Sequence, residues 1–142
     1  MDQHLDVVAD RLITKPFVVV SLSAFAFFMY IGTLVPLVPL FIEGPLKGGE
    51  LALGLNAAVF ALAAVFARPL LGRLADRYGR RSIIVGGALT AAAGGMLMSQ
   101  IDSLTALMGL RILTGVGEAA VFVGTATLIA DLSPRARRAE GA

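Results

Sequence analysis

The sequence predicts an all-α, polytopic membrane protein with four transmembrane helices. Its 142 residues are 57% hydrophobic and only 15% charged, and the mean hydropathy of +0.83 is too high for an ordinary soluble domain of this size. Charged residues gather between apolar runs instead of along one solvated face. Four of these runs are long enough to cross a hydrocarbon core of about 30 Å as helices.

The same composition excludes several classes of function. The formal net charge is only +2 and the basic residues flank apolar spans, so nucleic acid is not an expected partner. The sequence has no cysteine, its single histidine, His4, lies in a polar tail, and no Walker-type loop or metal-ligand cluster occurs in it. We therefore expect neither an enzyme nor a bound metal or cofactor.

Residues 1–16 form a polar tail before the first span. Acidic residues spoil a positive n-region and no cleavage pattern follows, so this tail is not expected to be a cleavable signal peptide. The first span, 17–42, is longer than a bilayer core requires and must tilt or bend. Pro36 and Pro39 supply the bend near its distal end, either as a simple kink or as a break that lines a cavity.

The second span, 51–71, follows a loop at 43–50 that contains glycine and proline. It carries Asn56, for which an interhelical hydrogen bond or an interfacial position is favoured over contact with a ligand. The third span, 82–100, carries small residues that let another helix approach closely. These residues are Gly86, Gly87, Ala88, Ala91, Ala92, Gly94 and Gly95.

The fourth span, 104–130, follows a tight turn and leads into a basic tail at 131–142. The second and third spans are joined by Gly72 to Arg81, GRLADRYGRR, a short basic segment that predicts a loop. This loop with the adjacent Arg68 and the two tails holds ten of the twelve Lys and Arg residues. The positive-inside rule therefore predicts a multi-pass protein of the cell inner (plasma) membrane, with both termini and this loop cytoplasmic.

Two charged residues, Arg111 and Glu118, lie within the fourth span. They are nearly two helical turns apart, about 10 Å along the axis, so they share a face but cannot form a direct ion pair. Each needs its own partner, because a charge near the bilayer centre costs about 3 kcal/mol or more. Arg111 either snorkels to the interface or has a functional role. Glu118 lies near the middle of its span, where protonation is the easier way to remove the charge, so it is either an ion-coupling group or structural. Gly115, on nearly the same face, would leave room for water or a substrate group.

Two sequence motifs point to a known family. The basic segment resembles motif A of the major facilitator superfamily, GxLaDrxGrr, which joins the second and third helices of that fold. The residues that carry this resemblance are Gly72, Leu74, Ala75, Asp76, Arg77, Gly79, Arg80 and Arg81. Arg111, Gly115 and Gly117 resemble its motif B, RxxxGxG, in the fourth helix. The chain is similar to the first four helices of the family in order and orientation.

The resemblance implies secondary active transport of a small solute across a lipid bilayer by alternating access, with export driven by proton antiport. It further implies that Asp76, Arg80 and Asp131 form a cytoplasmic charge network that latches one conformer. Arg111 and Glu118 would then face the substrate cavity. For Arg77 and Arg81, a role in setting orientation is sufficient.

The length of the chain leaves other functions open. Members of the family resemble two six-helix bundles around a central cavity, so we expect an N-terminal portion that is completed by the remaining helices of a longer transporter or by another copy of itself. One alternative is a small four-helix exporter that works as a dimer. Another is a membrane interaction protein that transports nothing and pairs through its glycine faces.

Overall fold

A computed structural model describes residues 14–132 of the chain. This part consists of four α-helices, each long and apolar enough to cross a membrane, which confirms the predicted fold class. The helices are α1 (Lys15–Glu43), α2 (Glu50–Tyr78), α3 (Arg80–Met98) and α4 (Leu104–Leu132). Most of the two predicted tails lies outside the described residues.

The start of α1 is set by local capping. The Thr14 side chain accepts a hydrogen bond from the Phe17 backbone N–H at 3.4 Å, and Pro16 occupies the first turn, where its missing N–H leaves no intrahelical bond unmade. The helix therefore begins slightly before the predicted span. It also continues through Pro36 and Pro39 to its end.

The basic segment between the second and third spans is helical over most of its length. The helix α2 runs to Tyr78 and α3 starts at Arg80, so Gly79 alone separates them. Gly79 has a backbone φ of 88°, which residues other than glycine rarely adopt. Its N–H donates to the Ala75 carbonyl at 3.0 Å. The predicted loop over 72–81 is therefore wrong in extent, because arginine, leucine and alanine are good helix formers and only one position requires a turn.

Short connections make successive helices antiparallel, so the bundle has two distinct ends. Lys15, Arg81 and Leu132, from the ends of three helices, line one groove. We call this end, which also carries the other arginines of the helix termini, the basic end. At the opposite end a buried apolar cluster joins α1, α3 and α4. It consists of Val38, Ile42, Met98 and Leu107.

The helix α4 is the one on which the others pack, most extensively α3 and α2 and less so α1. A Cβ atom added to Gly117 would lie 2.8 Å from the Gly87 carbonyl oxygen of α3. One added to Gly115 would lie 2.6 Å from the Phe60 carbonyl oxygen of α2. Each of these glycines therefore brings the backbone of a different helix against α4.

The glycines of α3 mostly support the predicted close approach of helices. A Cβ atom on Gly94 would lie 2.5 Å from the Thr114 methyl carbon of α4. Gly95 faces the phenol of Tyr30 on α1, and that hydroxyl donates to the Ala91 carbonyl at 3.1 Å. Gly86 differs, because nothing lies within 4 Å of the space its side chain would fill.

Candidate functional site

One cluster of charges lies at the basic end, where Arg80 at the start of α3 meets the ends of α2 and α4. Its guanidinium forms an ion pair with Asp131, in the last turn of α4, and another with Asp76 at 3.7 Å. Its Nη1 also donates to the Thr127 carbonyl of α4 at 2.7 Å. A single arginine thus connects three helices. We call Asp76, Arg80 and Asp131 the Arg80 cluster.

The Arg80 cluster is open to solvent. Its side chains are 75% exposed at Asp76, 54% at Asp131 and 27% at Arg80. Exposed ion pairs contribute only about 0.2–1 kcal/mol, because water screens the charges and holding the side chains in place has an entropic cost. The position of Arg80 near the C-terminal end of α4 adds a favourable interaction with the helix dipole. The cluster therefore fixes the relative positions of helix ends more than it stabilises the fold.

The other motif residues at this end take different positions. The exposed Arg77 lies over the ring of its neighbour Tyr78, 5.4 Å from the ring centre. Arg81 is exposed at the groove that it shares with α1 and α4. Gly72 has open space around it, whereas Gly79 is the turn between two helices. Within residues 14–132, neither Arg77 nor Arg81 forms an ion pair with the Arg80 cluster.

Arg111, in the membrane-spanning part of α4, is held by α2. Its Nε donates a hydrogen bond to the Asn56 side-chain oxygen at 2.8 Å, and its guanidinium carbon lies 5.0 Å from the centre of the Phe60 ring. Arg111 and Asn56 are both buried. The favoured interhelical hydrogen bond of Asn56 is thus confirmed, and Arg111 remains within the bundle.

Arg111 and Asn56 line a cavity of about 360 Å³ between α1, α2 and α4. This volume falls within the range of small-molecule sites. Most of the wall is apolar, and Pro39 belongs to it, in agreement with the alternative that the proline segment of α1 lines a cavity. The remaining lining residues are Ile31, Leu34, Val35, Leu53, Ala57, Phe60 and Thr114.

Glu118 lies outside this cavity, two turns further along α4 towards the basic end. The residue is nearly buried, with 9% of its surface exposed. No salt bridge reaches its carboxyl group within the described residues, and in particular Arg111 does not. One turn further along α4, the ring of Phe122 lies under the Arg68 guanidinium of α2.

The prediction that Gly115 leaves room for water or a substrate is wrong. A Cβ atom there would meet the Phe60 carbonyl oxygen at 2.6 Å and the Ala63 Cβ at 3.2 Å. The backbone of α2 fills the space, because a glycine in one membrane helix allows a neighbouring helix to approach closely. Gly115 therefore positions α2, which carries the hydrogen-bond partner of Arg111.

Arg68 lies in the predicted second span, but it is further from the end of its helix than the predicted boundary at residue 71 indicates. The helix α2 continues for ten residues beyond Arg68, about 15 Å of helix. The Arg68 guanidinium carbon lies 4.7 Å from the centre of the Phe122 ring on α4. The available signal was the helix-forming Arg73, Leu74 and Ala75 after Gly72, which favour continuation of the helix towards the glycine at position 79.

Comparison with known proteins agrees with this architecture. The family model for the Major Facilitator Superfamily matches residues 20–142. The chain is 31% identical over 127 residues to the Quinolone resistance protein NorA of Staphylococcus aureus (strain Mu50 / ATCC 700699), across 89% of this chain and 32% of that protein. It is 26% identical over 124 residues to Multidrug resistance protein 2 of Bacillus subtilis (strain 168), across 87% of this chain and 31% of that protein.

The chain therefore spans about a third of the length of these curated relatives. The family model covers most of the chain, including the two motifs and all of α2, α3 and α4. Its members are membrane transporters, so the prediction that the chain is not an enzyme is confirmed. The chain belongs to the major facilitator superfamily.

Proposed function

We propose that the protein containing this chain is a secondary active transporter that exports a small solute in exchange for protons. The observation that carries the proton coupling is Glu118, a nearly buried carboxyl group in a membrane-spanning helix. An ionised carboxylate at such depth is expensive, so gain and loss of a proton is the chemistry that this position favours. Export is supported by similarity to proteins named for quinolone resistance and multidrug resistance.

In this proposal, the cavity beside Arg111 contributes part of the solute site. Its mainly apolar wall suits an apolar solute, and the Arg111 guanidinium can attract a polar or anionic group of that solute. The Asn56 hydrogen bond keeps the guanidinium at the cavity wall. The Arg80 cluster latches the basic end in one conformer, because it connects the ends of three helices through contacts that are easily broken.

The basic end faces the cytoplasm in this proposal. The described arginines and lysines near helix ends concentrate there, and Lys47 is the basic residue of the loop at the opposite end. The positive-inside rule assigns the side that is richer in Lys and Arg to the cytoplasm. Solute would then enter the cavity when the Arg80 cluster is open.

Proton coupling is tested with Glu118→Gln in the full-length protein, reconstituted in lipid vesicles. Glutamine keeps the shape of the side chain but cannot exchange a proton, so solute should still move down its own gradient while a proton gradient no longer drives it uphill. The matched control is Glu50→Gln, which removes an exposed carboxyl group at the other end of α2. Uphill transport by Glu118→Gln with an unchanged dependence on the proton gradient would contradict the coupling role.

Orientation is tested with single cysteines, because the sequence contains none of its own. An impermeant thiol reagent added to intact cells should label Lys47→Cys and leave Arg77→Cys unlabelled until the membrane is opened. Both positions are exposed, so a difference between them reports the side of the membrane and not burial. Labelling of position 77 from outside would reverse the assignment.

A further inference from the structure

Charged residues are scarce in the membrane-spanning parts of the four described helices. The segments 17–42 of α1 and 82–98 of α3 contain none. The apolar parts of α2 and α4 contain Arg68, Arg111 and Glu118. Arg111 is already held by a hydrogen bond and an aromatic ring of α2. Arg68 is thus the cation that another helix presents to Glu118.

The register between α2 and α4 fixes where Arg68 lies. These two helices run in the same direction, and the Asn56 contact with Arg111 sets their alignment near the opposite end. Towards the basic end the same alignment places Arg68 beside Phe122. Phe122 is four residues after Glu118, about one turn and 6 Å along the axis, so both lie on one face of α4. The guanidinium on this ring therefore lies at a level about one helical turn along α4 from Glu118.

The Phe122 ring is itself held in place by α1. Its contact with Phe28 is edge to face, with ring centres 6.3 Å apart and an angle of 85° between the planes. An edge contact leaves a ring face available, and the Arg68 guanidinium lies over the ring. The aromatic site for the Arg68 guanidinium is therefore built from residues of α1 and α4, and α2 supplies the cation.

We propose that Arg68 is the mobile counter-ion of Glu118, resting on the face of Phe122 while the carboxyl group is protonated and moving to the carboxylate when the proton leaves. A contact between a cation and an aromatic ring is weaker than a charge-assisted hydrogen bond to a carboxylate in a poorly solvated place. Loss of the proton therefore draws the guanidinium from the ring to the carboxylate. This inference rests on the proposed proton coupling at Glu118, and Arg68 is a positioning residue within it.

The other charges near Glu118 do not compete for this role. Arg111, on the same helix, is two turns away and held by Asn56. The acidic residues at the basic end, Asp76 and Asp131, are both paired with Arg80. The neighbouring faces of α1 and α3 contribute no charged side chain along their spans. Movement of Arg68 between Phe122 and Glu118 thus converts the protonation state into a contact change at the junction of α1, α2 and α4.

The first test is the pH dependence of transport by the full-length protein in lipid vesicles. Removal of the counter-ion in Arg68→Gln makes the carboxylate less favourable, so Glu118 should keep its proton to higher pH. The pH of half-maximal transport should rise by about one unit, a tenfold change in proton affinity. Arg68→Lys keeps the charge and should shift the profile less. Arg73→Gln, at an exposed arginine of the same helix, should leave the profile unchanged.

Variants of the aromatic site should act in the opposite direction. Phe122→Leu removes the ring on which the guanidinium rests, so Arg68 becomes more available to the carboxylate. The pH of half-maximal transport should fall by about half a unit, a threefold change. Phe122→Tyr keeps the ring and should retain the original profile. A rise of the midpoint in Phe122→Leu would overturn the resting position of Arg68.

A readout that does not depend on transport separates this inference from the proposed function. Infrared difference spectra recorded against pH report the protonated carboxyl group, and the band that Glu118→Gln removes belongs to Glu118. Its midpoint should rise by about one unit in Arg68→Gln and less in Arg68→Lys. An unchanged midpoint in both variants would overturn the counter-ion role and leave proton coupling untouched. If Glu118→Gln keeps proton-driven transport, the proposed function fails, whereas the infrared midpoint still decides whether Arg68 pairs with Glu118.

Discussion

The charged residues of α4 lie in two different environments. At the basic end, Asp131 shares Arg80 with Asp76 in an exposed cluster of ion pairs. In the middle of the helix, Arg111 and Glu118 are nearly buried, and neither forms an ion pair within the described residues. Arg111 is held instead by a neutral amide and an aromatic ring.

Contacts in the middle of α4 hold the bundle together, whereas the contacts at its end set the conformation. Exposed ion pairs are weak and reversible, so they can bias an equilibrium between two states of a transporter without deciding whether it folds. Removing the partner of a buried charged group lowers the free energy of unfolding much more than breaking an exposed ion pair, because the desolvation of the buried group is no longer compensated. Substitutions in the middle of α4 should therefore mainly lower stability, and substitutions at its end should mainly change the rate of transport.

The largest expected effect is on packing against the middle of α4. In Gly87→Val, the new Cβ would lie 2.6 Å from the Ala120 Cβ and 2.7 Å from the Gly117 carbonyl oxygen, so α3 and α4 would have to separate. We expect a loss of about 3 kcal/mol, at the upper end of the range for overpacking. Thermal unfolding of the purified full-length protein and its abundance in membranes measure this loss.

The adjacent glycine provides the control for this prediction. Gly86→Val adds the same side chain to the same helix, but nothing lies within 4 Å of its Cβ position. Its effect should stay within about 0.5 kcal/mol. Equal destabilisation by the two variants would show that loss of glycine flexibility, and not contact between α3 and α4, is responsible.

An intermediate effect is expected at the partner of Arg111. Asn56→Leu keeps the size of the side chain but leaves the Arg111 Nε–H without the acceptor at 2.8 Å. A buried charged donor without its partner should lower stability by about 2 kcal/mol. The double variant Asn56→Leu with Arg111→Leu removes both polar groups and should recover most of that stability, although not transport. Failure to recover it would mean that Arg111 stabilises the fold through its other contacts, including that with Phe60.

The smallest effect on stability, and a clear one on transport, is expected at the Arg80 cluster. Asp76→Asn should cost less than about 1 kcal/mol, yet slow transport and raise the inward-open population. Asp131→Asn should act in the same direction and more strongly, because Asp131 makes the closer ion pair with Arg80. Distances between labels across the mouth of the basic end measure the populations.

The matched control for the cluster is Arg77→Gln, which removes an exposed arginine outside it. It should leave the distance distribution unchanged. Asp76→Asn combined with Arg80→Ala should fall short of additivity if the two residues act as a unit. If all of these variants show normal conformer populations and normal transport, the segment from Gly72 to Arg81 has no role beyond setting the orientation in the membrane.

The sequence was sufficient for features that depend on local composition and length. Four long apolar runs predicted four helices, and the preference of Asn56 for an interhelical hydrogen bond follows from the scarcity of polar partners in lipid. It was insufficient where two helices had to be placed side by side. Gly115 was expected to leave open space, but only the position of α2 decides whether such space is filled.

The boundary between α2 and α3 shows a second limit. Charge and glycine content favoured a loop, whereas the helical run to Tyr78 needs only one residue, Gly79, to reverse the chain. Residues 72–78 therefore extend α2 beyond the predicted second span, near whose end Arg68 lies. Hydropathy is an average over a segment of the sequence. It therefore does not distinguish a charged loop from a charged helical turn that extends beyond the membrane.

The shared direction of α2 and α4 has a mechanical consequence. Asn56 with Arg111, Phe60 with Gly115, and Arg68 with Phe122 follow one another along the same interface. A slip of one helical turn, about 5.4 Å, would separate all of them at once. Sliding of α2 along α4 is therefore opposed along the whole length of the interface, and we expect the two helices to move together as one rigid body. Movements that change access must then be hinged outside this pair.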